Sequence, residues 1–130
     1  MTILLFSGPP GSGKTTLALR LSKKSTIPYI KFPSSIHPTW PLNDLRIDVI
    51  SRTVCLCAIE ISKHFDFIWD RGIPDNLVYN ELFKRPSDPE FYWRLLRENR
   101  DNIALVYVTA TPGVLISRMS ERFGESFFYE

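Results

Sequence analysis

The chain has 130 residues, 44% of them hydrophobic, the size and apolar content of one domain that buries its own core. The 16 basic and 14 acidic residues leave a net charge of +2, which excludes a general attraction to nucleic acid or anionic membrane and confines any basic function to local clusters. The apolar N-terminus is too short for a signal sequence and no run approaches membrane-spanning length, so a cytoplasmic protein without a membrane partner is expected.

Met1 to Phe6 reads as a buried central strand. It runs into Gly8-Pro9-Pro10-Gly11-Ser12-Gly13-Lys14-Thr15, which fits the phosphate-binding pattern G-x-x-x-x-G-K-[ST] in the strand–turn–helix context that pattern needs. Gly8, Gly11 and Gly13 allow left-handed backbone and close approach to a polyphosphate, so that successive amides, including those of Ser12 and Thr16, point at its oxygens. A helix from Lys14 to about Lys24 adds its positive end, with Leu17, Leu21 and Ala18 expected toward the sheet. Lys14 can reach the β- and γ-phosphates of ATP, and Thr15 offers a hydroxyl to the accompanying Mg²⁺. Kinases, hydrolases and switch proteins all use this loop, so the rest of the chain must choose among them.

Ile27 to Phe32 suits a second strand near a sheet edge, and the proline-spaced stretch from Pro33 to Pro41, carrying His37 and Trp40, is a loop at the carboxyl end of the sheet. Leu42 to about His64 has helical spacing, with Leu45, Val49, Val54, Ala58 and Ile61 as its apolar positions. Arg46 and Arg52 on it are either substrate contacts or solvated surface residues. Cys55 and Cys57 are two apart on this helix, so their side chains diverge; buried free thiols are expected.

Phe65 to Asp70 is the next buried strand, ending in a carboxylate followed by Arg71. A carboxylate at a strand end beside a phosphate loop is placed to hold Mg²⁺, and a neighbouring arginine to clamp an acceptor. Asp75 suits a cap for a helix over Asn76 to Phe83, and Ser87-Asp88-Pro89-Glu90 a start for one over Phe91 to Arg97. Phe91, Tyr92 and Trp93 either stack on a base or fill a core. Ile103 to Val108 reads as a strand buried on both faces, and Thr111-Pro112 opens a helix through Met119 that carries Arg118 and leads to Arg122.

Taken together, GPPGSGKTTLA, IWDRGIPDNLVYNELF and VYVTATPGVLISRMSER resemble, in order, three blocks of the small P-loop kinases of the nucleoside and nucleotide type, especially thymidylate kinase and the deoxynucleoside kinases. The resemblance implies an α/β, three-layer P-loop NTPase fold with a mostly parallel sheet, as one domain over residues 1–130. It gives Asp70 to the metal or acceptor and Arg71 to the acceptor, places Arg118 and Arg122 in a lid over the ATP phosphates, and matches Glu130 to a glutamate beyond the lid. Pro9 and Pro10 stand where thymidylate kinases often place a carboxylate, and KFPSSIHPTWP lacks their arginine-proline-glycine signature, so thymidylate is not implied as acceptor. The family's last strand and helix are not visible, which leaves a fragment, or a minimal form that completes its sheet by homo-oligomeric association.

The implied activity is transfer of the γ-phosphoryl group from ATP, with Mg²⁺, to a nucleoside or nucleoside monophosphate. A polynucleotide or modified-base DNA acceptor is one alternative; a hydrolytic or non-catalytic nucleotide-binding module is the other.

Overall fold

A computed structural model describes residues 2–32, 37 and 39–123, with the backbone alone at 119, 122 and 123. Four strands, β1 (Ile3–Ser7), β2 (Tyr29–Ile30), β3 (Phe67–Asp70) and β4 (Ile103–Tyr107), form a sheet in the order β2-β3-β1-β4 in which every neighbouring pair is parallel. Parallel neighbours need crossovers, and the helices supply them: α1 (Lys14–Lys24) between β1 and β2, α2 (Leu45–Ser62) between β2 and β3, then α3 (Ile73–Leu82) and α4 (Pro89–Glu98) before β4. A last helix, α5 (Pro112–Phe123), follows β4.

Strand side chains alternate, and the alternation separates two cores. Ile3 and Leu5 of β1 and Phe67 and Trp69 of β3 pack on one face with Cys55 and Ala58 of α2, Ile73 of α3, and Tyr92 and Leu95 of α4. Phe6 and Ile68 face the other way, onto Ala18 and Leu21 of α1. The result is the three-layer α/β fold expected from the sequence, with β1 central and β2 at an edge.

Several local expectations are corrected. The second strand is reduced to Tyr29–Ile30. On α1 the sheet takes Ala18 and part of Leu21, while Leu17 is exposed, because the helix rests on its small residue. On α2 the apolar spacing is helical but its phase is rotated: Leu45 and Val49 are exposed, and the buried line includes Ile47, Asp48, Cys55 and Ala58. Asp48 can be buried because Tyr92 Oη and Asn80 Nδ2 donate to its Oδ1 at 2.6 and 3.0 Å, and Arg52 Nε lies 3.1 Å from its Oδ2. This network ties α2, α3 and α4 together. Cys55 is buried, whereas Cys57 is exposed.

At the far edge, β4 is buried on neither face along its whole length. Leu105 is 56% and Tyr107 65% exposed, since β4 pairs only with β1 among the described residues and the helices α2 to α4 crowd over β3 and β1. No helix among the described residues is long and apolar enough to cross a membrane.

Candidate active site

The glycine pattern takes the backbone conformations that its sequence requires. Gly8, Gly11 and Gly13 have φ of 154°, 79° and 90°, in the region that an L side chain resists. A Cβ on Gly8 would stand 2.0 Å from the Val108 carbonyl oxygen, so the loop is pressed against the end of β4. Ser12 N–H donates to the Pro9 carbonyl at 3.2 Å and Leu17 N–H to the Gly13 carbonyl at 3.0 Å, which closes the loop onto α1. The helix starts without a side-chain cap, so its first amides are left to an incoming ligand. Lys14 is only 4% exposed, and its Nζ donates back to the Gly8 carbonyl at 2.9 Å.

The end of β3 meets this loop because β3 pairs directly with β1 in the register Phe6↔Asp70. Thr15 Oγ1 donates to Asp70 Oδ2 at 2.5 Å, and Tyr29 Oη donates to the same oxygen at 3.1 Å from the edge strand. Asp70 Oδ1 is buried with no hydrogen-bond partner among the described residues. The Tyr29 phenol is pushed up to about 12, by burial first and by the Asp70 charge second. Asp70 therefore has one oxygen held by two hydroxyls and one uncommitted.

Beyond Asp70 the chain turns sharply. Arg71 has φ 62°, a left-handed conformation in a non-glycine residue, and its N–H donates to the Phe6 carbonyl at 3.0 Å. Gly72 follows because a Cβ there would stand 2.3 Å from Leu5 Cδ1. Asp75 does not cap a helix at Asn76 as its position suggests; α3 starts at Ile73, and Asp75 lies in its first turn, where Oδ2 accepts the Gly72 N–H at 3.1 Å and Oδ1 the Ser7 hydroxyl at 3.2 Å. Burial raises the Asp75 carboxyl, while Lys14, Ser7 and Arg71 pull it back down.

Arg118 of α5 crosses to the loop, and its Nη1 donates to the Gly11 carbonyl at 2.9 Å. Together Gly11, Ser12, Gly13, Lys14, Thr15, Thr16, Arg71 and Arg118 line one cavity of about 370 Å³, within the size range of small-ligand sites. Every residue singled out for the phosphate loop except Gly8 is on its wall; Gly8 shapes the loop from behind. The Arg122 side chain and Glu130 lie outside what is described. Arg46 pairs with Asp44 and covers Trp40, and Arg52 pairs with Asp48; neither lines the cavity, and nor do Phe91, Tyr92 and Trp93.

The fold and this loop are shared with known proteins. The profile of the ATPase family associated with various cellular activities matches residues 4–37. The YorR protein of Bacillus subtilis, solved in complex with phosphorylated GDP, superposes with a TM-score of 0.67 at 23% identity over 94% of this chain and 67% of its own. The chain has the fold of the P-loop nucleotide kinases. The deoxyadenosine kinase of M. mycoides, solved with the products dCMP and a flexible dCDP, shares the P-loop architecture at TM-score 0.60 and 22% identity, over 97% of this chain and 72% of that one. In sequence, the P-loop chain is 34% identical to the adenylate kinase of Thermotoga neapolitana and 36% identical to that of Thermotoga maritima, in each case over 87 residues. That match takes in 65% of the P-loop chain and 33% of each adenylate kinase, so the chain spans about a third of the length of these curated relatives.

Tyr29, Ser7 and the role of Asp75 in the turn were not legible as site features. Tyr29 and Ser7 carry no motif; only the strand order brings them to Asp70 and Asp75.

Proposed function

We propose that the chain is an ATP-dependent phosphotransferase that moves the γ-phosphoryl group to a nucleoside or nucleoside monophosphate. The observation that carries this reading is the convergence of two arginines from separate elements, Arg71 after β3 and Arg118 on α5, on the cavity walled by the phosphate loop. The backbone N–H of Arg71 is bonded to Phe6, but its guanidinium makes no hydrogen bond or ion pair among the described residues, so its charge is available to an anion. The named kinases among the relatives and solved structures support the same class.

Lys14 and the amides of residues 11–16 would bind the donor phosphates, with Lys14 exchanging the Gly8 carbonyl for a phosphoryl oxygen. Arg118, already on the loop, would stabilise charge that spreads over the transferred group, and Arg71 would orient the acceptor opposite it. The lid role of Arg122 is part of the same proposal. The chain's oxygens fit Mg²⁺: Asp70 Oδ1 is buried and uncommitted beside Thr15, and a cation that takes few protein oxygens and the rest from phosphates and water needs no larger cluster. When bound, Mg²⁺ would neutralise phosphate charge there. A monophosphate acceptor is already anionic and needs no base, whereas a hydroxyl acceptor could place its proton on Asp70 only where Oδ1 is not taken by Mg²⁺, because both oxygens of the buried Asp75 are already accepting.

Incubation with γ-labelled ATP and Mg²⁺ against pooled nucleosides, nucleoside monophosphates and single-stranded oligonucleotides tests the reading. Label should pass to one of the first two pools, and Lys14→Ala and Arg71→Ala should each lower transfer by about 10²–10³-fold, the loss expected when one preorganised charge-stabilising donor is removed. Label released only as phosphate, or normal transfer by Arg71→Ala, would refute it.

A further inference from the structure

We infer that Asp75, anchored by Ser7, is the positioning residue that holds Arg71 in its left-handed conformation and so keeps the guanidinium on the wall of the phosphate cavity. Arginine resists a φ of 62°, and such a conformation persists only where the surroundings over-determine it. Here the surroundings are countable. The Arg71 N–H is fixed to the Phe6 carbonyl before the turn, and the Gly72 N–H is fixed to Asp75 Oδ2 after it. Asp75 Oδ1 is in turn fixed by the hydroxyl of Ser7, the last residue of the central strand. Asp75 is 8% and Ser7 7% exposed, so water competes poorly for either bond. Leu5 and Trp69 pack against the remaining side, their side-chain atoms 2.3 and 3.2 Å from where a Cβ at 72 would stand. The carboxylate thus ties the strand that enters the phosphate loop to the turn that carries Arg71, and Asp75 is not among the residues that line the cavity.

The amide of Asp75→Asn keeps the size but loses the charge and one acceptor, so the Gly72 N–H bonds a neutral oxygen, the Ser7 hydroxyl must turn to accept from the new amide, and both ties weaken. The turn can then relax, and Arg71 leaves the wall. The inference rests on the reading of Arg71 as an anion contact, and it is tested without relying on phosphoryl transfer: inorganic tripolyphosphate is titrated calorimetrically into the wild type, Asp75→Asn, Arg71→Ala and the double variant. Asp75→Asn should weaken binding about tenfold in the wild-type background and less than about twofold in the Arg71→Ala background, the non-additivity of residues acting through one another. An equal loss in both backgrounds would overturn the inference, because Asp75 would then act on Lys14 or on the fold at large. If Asp75→Asn does not fold, Ser7→Ala carries the same cycle with a loss of about threefold expected, and additivity there overturns it equally. If the wild type binds tripolyphosphate and the cycle is non-additive but no acceptor is phosphorylated, the kinase reading fails and the positioning role stands.

Discussion

The two ends of the sheet's central pair and its β4 edge are built from the same kind of apolar run, yet they have opposite fates. At the carboxyl ends of β1 and β3, each strand has a neighbour on both sides and a helix layer on both faces, and the polar residues that emerge there are locked by named partners: Thr15 and Tyr29 on Asp70, Ser7 on Asp75. At β4, Leu105 and Tyr107 of an equally apolar run stand open. What places chemistry on this fold is the number of neighbours a strand end has, not the hydrophobicity of the strand. A site needing side chains fixed within fractions of an ångström belongs where four elements meet.

That contrast can be broken or sharpened by substitution. The largest effect should come from Trp69→Ala, which empties the packed face of β3 against Phe32 and α2 to α4; a loss of about 3–5 kcal/mol in urea unfolding is expected, and a loss near zero would mean that the central pair is no better packed than the edge. Arg71→Gly should do something different. Relieving a left-handed arginine returns about 1–2 kcal/mol, less the roughly 0.5–1 kcal/mol that glycine costs in backbone freedom, so the variant should unfold at equal or slightly higher urea while phosphoryl transfer is lost. A clear drop in stability would show that the turn is not strained. The smallest effect should be that of Leu105→Ser, less than about 0.5 kcal/mol for an exposed position. A cost above about 1 kcal/mol, or a change in sedimentation, would reveal that the β4 face is covered in solution and that the two regions differ less than they do here.

The phosphate loop and the Asp70-Arg71 pair could be picked out of the sequence because the signal is local, a spacing along a strand, a turn and a helix start, and the fold brings these residues to one place. Tyr29 was unreadable because its partner lies 41 residues away and is reached only through the pairing of β2 with β3. Asp75 was read as a cap because an acidic residue before a helix usually is one; its bond to Ser7 spans 68 residues and depends on β1 and β3 being neighbours. On α2 the spacing gave the helix but not its rotation, since a buried Asp48 occupies a position that hydrophobicity alone would assign to solvent. The exposure of β4 escaped for the reciprocal reason. An apolar run records what a strand can tolerate, not which neighbours it finds.

The hydrogen bond from the Lys14 ammonium to the Gly8 carbonyl bears on how the protein lives without its ligand. A cation sunk that deep, if it waited for phosphate with nothing to donate to, would make the vacant loop a weak point, prone to local opening and proteolysis whenever nucleotide is scarce. Because the loop supplies an acceptor of its own, loading and unloading under the proposed function would exchange that carbonyl for a phosphate oxygen. If the site takes nucleotide as proposed, the same bond would favour a polyphosphate, which offers several oxygens at once, over a compact anion such as sulfate that must displace the carbonyl alone.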